Sequence, residues 1–224
     1  MKKGKFIVID GADGSGKATQ TALLVKNLRK AGYEVRVEDF PQYGKKSAAL
    51  VEEYLNGVYG SAQELGPYIP SIFYAVDRFA ASQRIRDNLK RGYIVVTNRY
   101  VTANMGHQGS KIRDSKKRQQ FYDWLFGLEY GFFKIPRPDL TIILHLPACV
   151  AQKLANQKKK RSYLKGKKRD IHENDLGHLQ KAEKTYLEMA KVFGYNLVEC
   201  YKQNKILKRE ETAKLIWEDA KKIL

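Results

Sequence analysis

The stretch Asp10-Gly11-Ala12-Asp13-Gly14-Ser15-Gly16-Lys17-Ala18-Thr19 constrains this chain more than any other. It follows Lys5-Phe6-Ile7-Val8-Ile9, a short apolar run rich in β-branched residues that reads as a buried strand. Behind it, residues 20–28 carry apolar side chains at helical spacing. A Gly-x4-Gly-Lys pattern joining a strand to a helix is a phosphate loop in its proper context. Glycines let backbone N–H groups converge on phosphate oxygens, the helix N-terminus adds positive potential, and Lys17 supplies a point charge. The plain alternative is a glycine-rich turn with an exposed lysine. Many such loops follow the lysine at once with Ser or Thr, whose hydroxyl binds Mg²⁺. Here Ala18 has no oxygen, and the hydroxyl comes one residue later, at Thr19. Metal is therefore expected to be held differently, through water and Asp13 or Asp10.

The remaining elements follow the same alternation. Strands are expected over residues 33–38, 93–97, 140–146 and 196–200. Helices are expected over 47–55, 71–89, 115–128, from Pro147 onward, 176–193 and 210–224. Strands alternating with helices imply an α/β fold, a doubly wound five-stranded parallel sheet flanked by helices. At 224 residues one domain, 1–224, is expected. No run of about eighteen apolar residues exists, so no membrane span is expected. An early strand leaves no room for a signal peptide. Cys149 and Cys200 match no metal spacing and read as reduced thiols, hence a cytoplasmic location.

The net charge of +18 favours polyanions, and nucleic acid is one candidate partner. Much of the excess lies in Lys158-Lys159-Lys160-Arg161 and Lys165-Gly166-Lys167-Lys168-Arg169. By composition these runs read as a solvated surface loop.

Open parallel sheets bind ligands outside the carboxyl ends of their strands. That rule singles out Phe40 and Tyr43 in the loop after the second strand, and Arg99 in Asn98-Arg99-Tyr100 after the third. Arg99 could take phosphate oxygens bidentately, or serve as an ion-paired structural arginine. Tyr74 and Arg78 are four residues apart on one helix face, so ring and guanidinium could stack on a base and read its edge. Equally, they could be a core aromatic and a surface arginine. Asn104, His107 and Gln108 can all hydrogen-bond a nucleotide.

Taken together, these pieces resemble the thymidylate kinases, P-loop enzymes that move the γ-phosphoryl of ATP onto dTMP. The resemblance covers nearly the whole chain and rests on motifs in family order. Gly11-Ala12-Asp13-Gly14-Ser15-Gly16-Lys17-Ala18-Thr19 is similar to the family's ATP-binding loop, and Gly-Lys-x-Thr is its monophosphate-kinase variant. Phe40-Pro41-x-Tyr43-Gly44 resembles its loop after strand two. Tyr74-x-x-x-Arg78 occupies the place of a base-stacking aromatic and an arginine that reads the thymine carbonyl. Arg99-Tyr100 matches part of the Asp-Arg-Tyr motif, Asn104 and His107-Gln108 fall where the family reads base and sugar, and Asp170-x-x-Glu173 follows a basic lid.

The resemblance implies a lid over about residues 153–173 and a catalytic arginine within it, Arg161 or Arg169, because the loop offers Gly14 where an arginine could stand. It implies Lys17 and Arg99 as further catalytic groups, Asp13 as a substrate contact, Mg²⁺ with Asp13 and Glu173 as metal-side carboxylates, ATP and dTMP as substrates, and a homodimer. Three positions depart from the pattern: Asn98 replaces the usual Asp, His107 a tyrosine that crowds the ribose, and Tyr74 a phenylalanine. The departures keep two alternatives open. One is a nucleotide or nucleoside kinase with another acceptor. The other is a non-catalytic, nucleic-acid-binding P-loop protein, although no nucleic-acid module is recognised.

Overall fold

Strand β1 (Phe6–Gly11) is buried along its whole length. It is the middle strand of a five-stranded sheet with β2 (Val35–Asp39), β3 (Ile94–Asn98), β4 (Leu140–His145) and β5 (Asn196–Glu199), in the order β2-β3-β1-β4-β5. All pairings are parallel, as the strand–helix alternation predicts. The computed structural model describes residues 3–156 and 176–224.

Side chains of a strand alternate between faces, and β1 feeds two cores. Phe6 and Val8 join one cluster, and Ile7 and Ile9 the other. Helices α1 (Lys17–Lys30) and α8 (Arg209–Lys221) cover the second through Leu24, Leu28 and Ile216. Helices α3 (Tyr68–Lys90), α4 (Val101–His107), α5 (Ser115–Phe126) and α7 (Leu176–Phe193) cover the first through Ile85, Met105, Phe121 and Tyr186. Short helix α2 (Ala49–Leu55) packs with Phe73 and Tyr74 of α3.

Register decides where the site forms. Ile9 pairs with Asn98, Asp39 pairs with Asn98, and Gly11 pairs with Leu144. The polar ends of three adjacent strands therefore meet at one edge. Helix α6 (Ala148–Asn156) is anchored at the same edge. Glu183 of α7 accepts from the Ala148 N–H at 2.8 Å and holds His145 Nε2 at 2.9 Å, while Glu199 holds His145 Nδ1 at 2.6 Å.

The expected elements shift at their ends for identifiable reasons. Strands β2 and β3 run one residue further, to Asp39 and Asn98, because ladder bonds use backbone whatever the side chain. Helix α3 begins at Tyr68; Pro70 falls in its first turn, where no N–H partner is needed. After Phe126 the chain winds into a π-helical turn, Gly127–Phe132, rather than ending simply. A hairpin, β6 (Tyr201–Lys202) and β7 (Lys205–Ile206), was not expected. Its two-residue turn puts Gln203 and Asn204 at φ 48° and 59°, the primed-turn geometry without the usual glycine.

Candidate active site

The loop between β1 and α1 turns on Gly11, Gly14 and Gly16, with φ of 143°, 88° and 90°. No side chain caps α1, so its first-turn N–H groups are left to the loop and to what binds there. Lys17 is buried, and its ammonium donates to the Gly11 and Ala12 carbonyls at 2.9 Å each. Ala18 and Thr19 are exposed, whereas Ser15 Oγ is buried with no hydrogen-bond partner among the described residues. Gly14 has a second constraint besides its φ. A Cβ there would stand 2.2 Å from the Ala151 carbonyl oxygen of α6. The loop thus leaves no room for an arginine at this position.

Two carboxylates frame the loop and do different work. Asp10 is wholly buried, and its oxygens accept from the Gly11 N–H at 2.8 Å, Thr102 Oγ1 at 2.6 Å and Tyr186 Oη at 3.0 Å. It ties the loop to α4 and α7. Asp13 faces the site, accepts from Arg99 Nη2 and lies 3.9 Å from Lys17 Nζ.

Arg99 is placed by its backbone. It leaves β3 at φ 67°, a left-handed conformation costing about 1–2 kcal/mol for a side-chain-bearing residue. Its N–H donates to Ile9 O at 3.0 Å, and its carbonyl accepts from Thr97 Oγ1 at 3.0 Å. The guanidinium then reaches Asp13 on one side and His107 Nε2, 3.0 Å away, on the other. Burial opposes its charge, but Asp13, with Tyr186, Asp10 and Tyr43 adding to it, more than offsets burial and keeps it protonated. A guanidinium only donates, so His107 Nε2 accepts and its proton rests on Nδ1. Burial first, opposed by Asp13 and reinforced by Arg99, His178 and Lys17, holds the imidazole well below its ordinary range, hence neutral. His107 is stacked on His178 (5.9 Å, 23°) and meets Tyr186 edge-on (5.7 Å, 83°).

The loop after β2 is braced from α3. Asp77 accepts from the Gln42 N–H at 2.8 Å, Gln42 Nε2 at 3.0 Å and Ser47 Oγ at 2.6 Å. Arg84 donates to Glu38 at 2.7 and 2.6 Å and to Gln42 Oε1 at 3.0 Å. Tyr43 is left exposed and Tyr74 half-buried beside Tyr54.

Several expected contacts fall behind this surface. Phe40 is core, 5.7 Å from the Tyr100 ring. Arg78 is only 1% exposed. Its Nε and Nη2 donate to Glu129 at 2.6 and 2.7 Å, and its Nη1 to Tyr100 O at 3.2 Å. That geometry makes Arg78 a brace for Tyr100, set behind the ligand surface on which it was expected. Asn104 is buried and donates to Ser71 O at 3.1 Å; Gln108 is buried with Oε1 lacking a hydrogen-bond partner among the described residues. Asp13, expected on the metal side and beside substrate, makes ion pairs with both Lys17 and Arg99. Arg161, Arg169 and Glu173 lie outside the described residues.

The structure thus joins Lys17, Asp13, Arg99 and His107 into one chain at the mouth of the phosphate loop. Sequence reasoning missed Asp77 and Glu129. Glu129 carried a usable signal, as the one charged residue in Trp124-Leu125-Phe126-Gly127-Leu128-Glu129-Tyr130-Gly131-Phe132-Phe133. An acid in such a run is buried only with a partner.

Comparison with known proteins agrees with this geometry. The family model described as Thymidylate kinase matches residues 9–213. A thymidylate kinase of Mycobacterium tuberculosis is 30% identical over 187 residues, covering 83% of this chain and 85% of the relative. A probable thymidylate kinase of Pyrobaculum aerophilum is 29% identical over 198 residues, 87% of each chain. The solved thymidylate kinase of Candida albicans superposes with a TM-score of 0.73 at 22% identity, covering 98% of this chain and 92% of that one, and shares its fold. With the family model spanning nearly the whole chain, the protein belongs to the thymidylate kinase family.

Proposed function

We propose that this chain transfers the γ-phosphoryl of ATP to dTMP, giving dTDP and ADP. The observation that carries the reading is the Lys17–Asp13–Arg99 chain at the loop mouth. Loop N–H groups and Lys17 hold the donor's phosphates. Arg99, aimed by Asp13 on one side and neutral His107 on the other, presents its guanidinium to the acceptor phosphate. Tyr43 and Tyr74, the exposed and half-exposed aromatics of the rim, contact the acceptor nucleotide. The acceptor phosphate is already anionic, so no general base is needed, and positioning with charge stabilisation supplies the rate. Mg²⁺ bound with ATP neutralises charge on the phosphates. A lid over about residues 153–173 closes on ATP and brings Arg161 or Arg169 to the transferring group.

A homodimer belongs to the same reading. Ile69, Ile72, Val76 and Phe79 form an exposed stripe on α3, at spacings of a single helix face. Phe79 contacts Phe133 (5.0 Å), and Phe133 contacts Phe132, which is 78% exposed. An apolar patch this continuous supports an interaction surface. A cytoplasmic location is supported by two free cysteines, Cys149 and Cys200. Among the described residues no helix is long and apolar enough to cross a membrane.

The test is a coupled ADP-release assay across nucleoside monophosphates. Turnover is expected with dTMP, and Lys17→Ala is expected to lower kcat by about 10²–10³ with a smaller effect on dTMP binding. Near-normal turnover by Lys17→Ala would remove the phosphate-loop assignment. Absence of turnover with every acceptor would remove the enzyme reading.

A further inference from the structure

Three aspartates, Asp10 and Asp39 at the ends of β1 and β2 and Asp13 in the loop after β1, stand near one edge of the sheet, and two are already committed. Asp10 is buried with its oxygens taken by Gly11, Thr102 and Tyr186. Asp13 is paired with Arg99 and lies against Lys17. Asp39 differs from both. It ends β2, is exposed, and is in register with Asn98, which ends β3. Asn98 Nδ2 donates to Asp39 Oδ1 at 2.8 Å. Partial desolvation pushes the Asp39 carboxyl above its ordinary range, while the Asn98 hydrogen bond and the charges of Arg99 and Lys17 favour its ionised form.

The amide fixes the direction of this pair. With Nδ2 committed to Asp39, Asn98 Oδ1 points the other way. There it is buried without a hydrogen-bond partner among the described residues. Among the described residues the one hydrogen bond of this side-chain amide is the one to Asp39. Its visible work is to hold the neighbouring carboxylate in one orientation.

The chemistry of Mg²⁺ suits one such group. The ion prefers hard oxygen ligands, keeps several waters, and is bound through one or two carboxylates together with substrate phosphates. Among the described residues no group of three or more His, Cys, Asp or Glu side chains could hold a metal ion. A site of this kind needs a solvent-facing carboxylate near the phosphates rather than a cage.

We propose that Asp39, aimed by Asn98, is the carboxylate that faces the Mg²⁺ of bound ATP. It is a positioning residue, acting through metal-bound water on the donor phosphates. Because the two residues are neighbours in register and their side chains touch, a carboxylate on either strand end reaches the same space. The charge is therefore exchangeable between positions 39 and 98. The inference rests on the kinase reading above.

The test compares wild-type protein, Asp39→Asn, and the exchanged pair Asp39→Asn with Asn98→Asp. Calorimetric binding of ADP and of a non-hydrolysable ATP analogue is measured with and without Mg²⁺, beside steady-state kinetics at saturating dTMP. Asp39→Asn is expected to lose about 10-fold or more of the tightening that Mg²⁺ gives, the scale of losing a group that orients a metal's shell. Metal-free binding and the KM for dTMP are expected to stay within about twofold, as for a site not in contact. The exchanged pair is expected to recover most of the Mg²⁺ effect and of kcat. Asparagine matches aspartate in shape, and an unchanged melting temperature verifies that the fold is kept. Unchanged Mg²⁺ coupling in Asp39→Asn overturns the inference, as does failure of the exchanged pair to recover. Wild-type protein that turns over dTMP normally beside such a result leaves the kinase reading standing; wild-type protein that neither turns over nor binds nucleotide overturns both.

Discussion

At the scale of single residues, the site works by restraint. Arg99 is held by its φ, two backbone bonds, Asp13 and His107, so little side-chain freedom remains to be lost when it meets a phosphate. Gly14 illustrates restraint of another kind. Its φ of 88° and the Ala151 carbonyl oxygen 2.2 Å from any added Cβ both exclude a side chain. Gly14→Ala is expected to cost about 1–2 kcal/mol from conformation alone and more from displacing α6. The measurements are thermal unfolding and the KM for ATP. Equal stability and equal KM would show that α6 yields freely at that contact.

At the scale of elements, buried ion pairs tie helices together behind the site. Arg78 of α3 and Glu129 of the π-helical turn are both essentially excluded from water, and the pair supports the Tyr100 carbonyl where β3 passes into α4. Breaking one partner leaves the other charge buried alone, so Glu129→Leu is expected to destabilise by about 3–5 kcal/mol. Replacing both, with Arg78→Met added, is expected to regain most of that loss. Urea denaturation measures stability, and the KM for dTMP separates the two roles open to Arg78. A stable double variant with a normal KM supports the bracing role; a stable double variant with a greatly raised KM returns Arg78 to the substrate.

At the scale of the whole molecule, α3 faces two ways. Ala75, Arg78, Ala81 and Ile85 look inward, while Ile69, Ile72, Val76 and Phe79 look out. In the proposed homodimer, a second copy of the chain would cover this outer stripe. Ile72→Lys with Val76→Lys is expected to shift the protein from dimer to monomer in sedimentation velocity. A wild-type monomer at micromolar concentration would remove the dimer reading. Asp77 of the same helix braces the loop after β2, so dissociation is expected to raise the KM for dTMP as well.

The division between chain and fold follows from range. Glycine spacing, a lysine at a helix start and apolar periodicity are local properties, and they announced the phosphate loop, the strand–helix alternation and Arg99 at a strand's end. The parallel sheet followed because each strand reads as buried and is separated from the next by a helix. Pairings across dozens of residues have no local signature. Nothing near Asp39 announces Asn98, and nothing near Arg78 announces Glu129; only register and helix packing bring them within hydrogen-bond reach. The same holds for exposure. Tyr74-x-x-x-Arg78 places two side chains on one helix face, yet packing left the ring half-open and buried the guanidinium. The sequence by itself determined which phosphate-binding device this protein carries, because that device is made of consecutive backbone. Which charges face the ligand and which hold the frame was decided only by tertiary structure, because burial and pairing are set by neighbours distant in the chain.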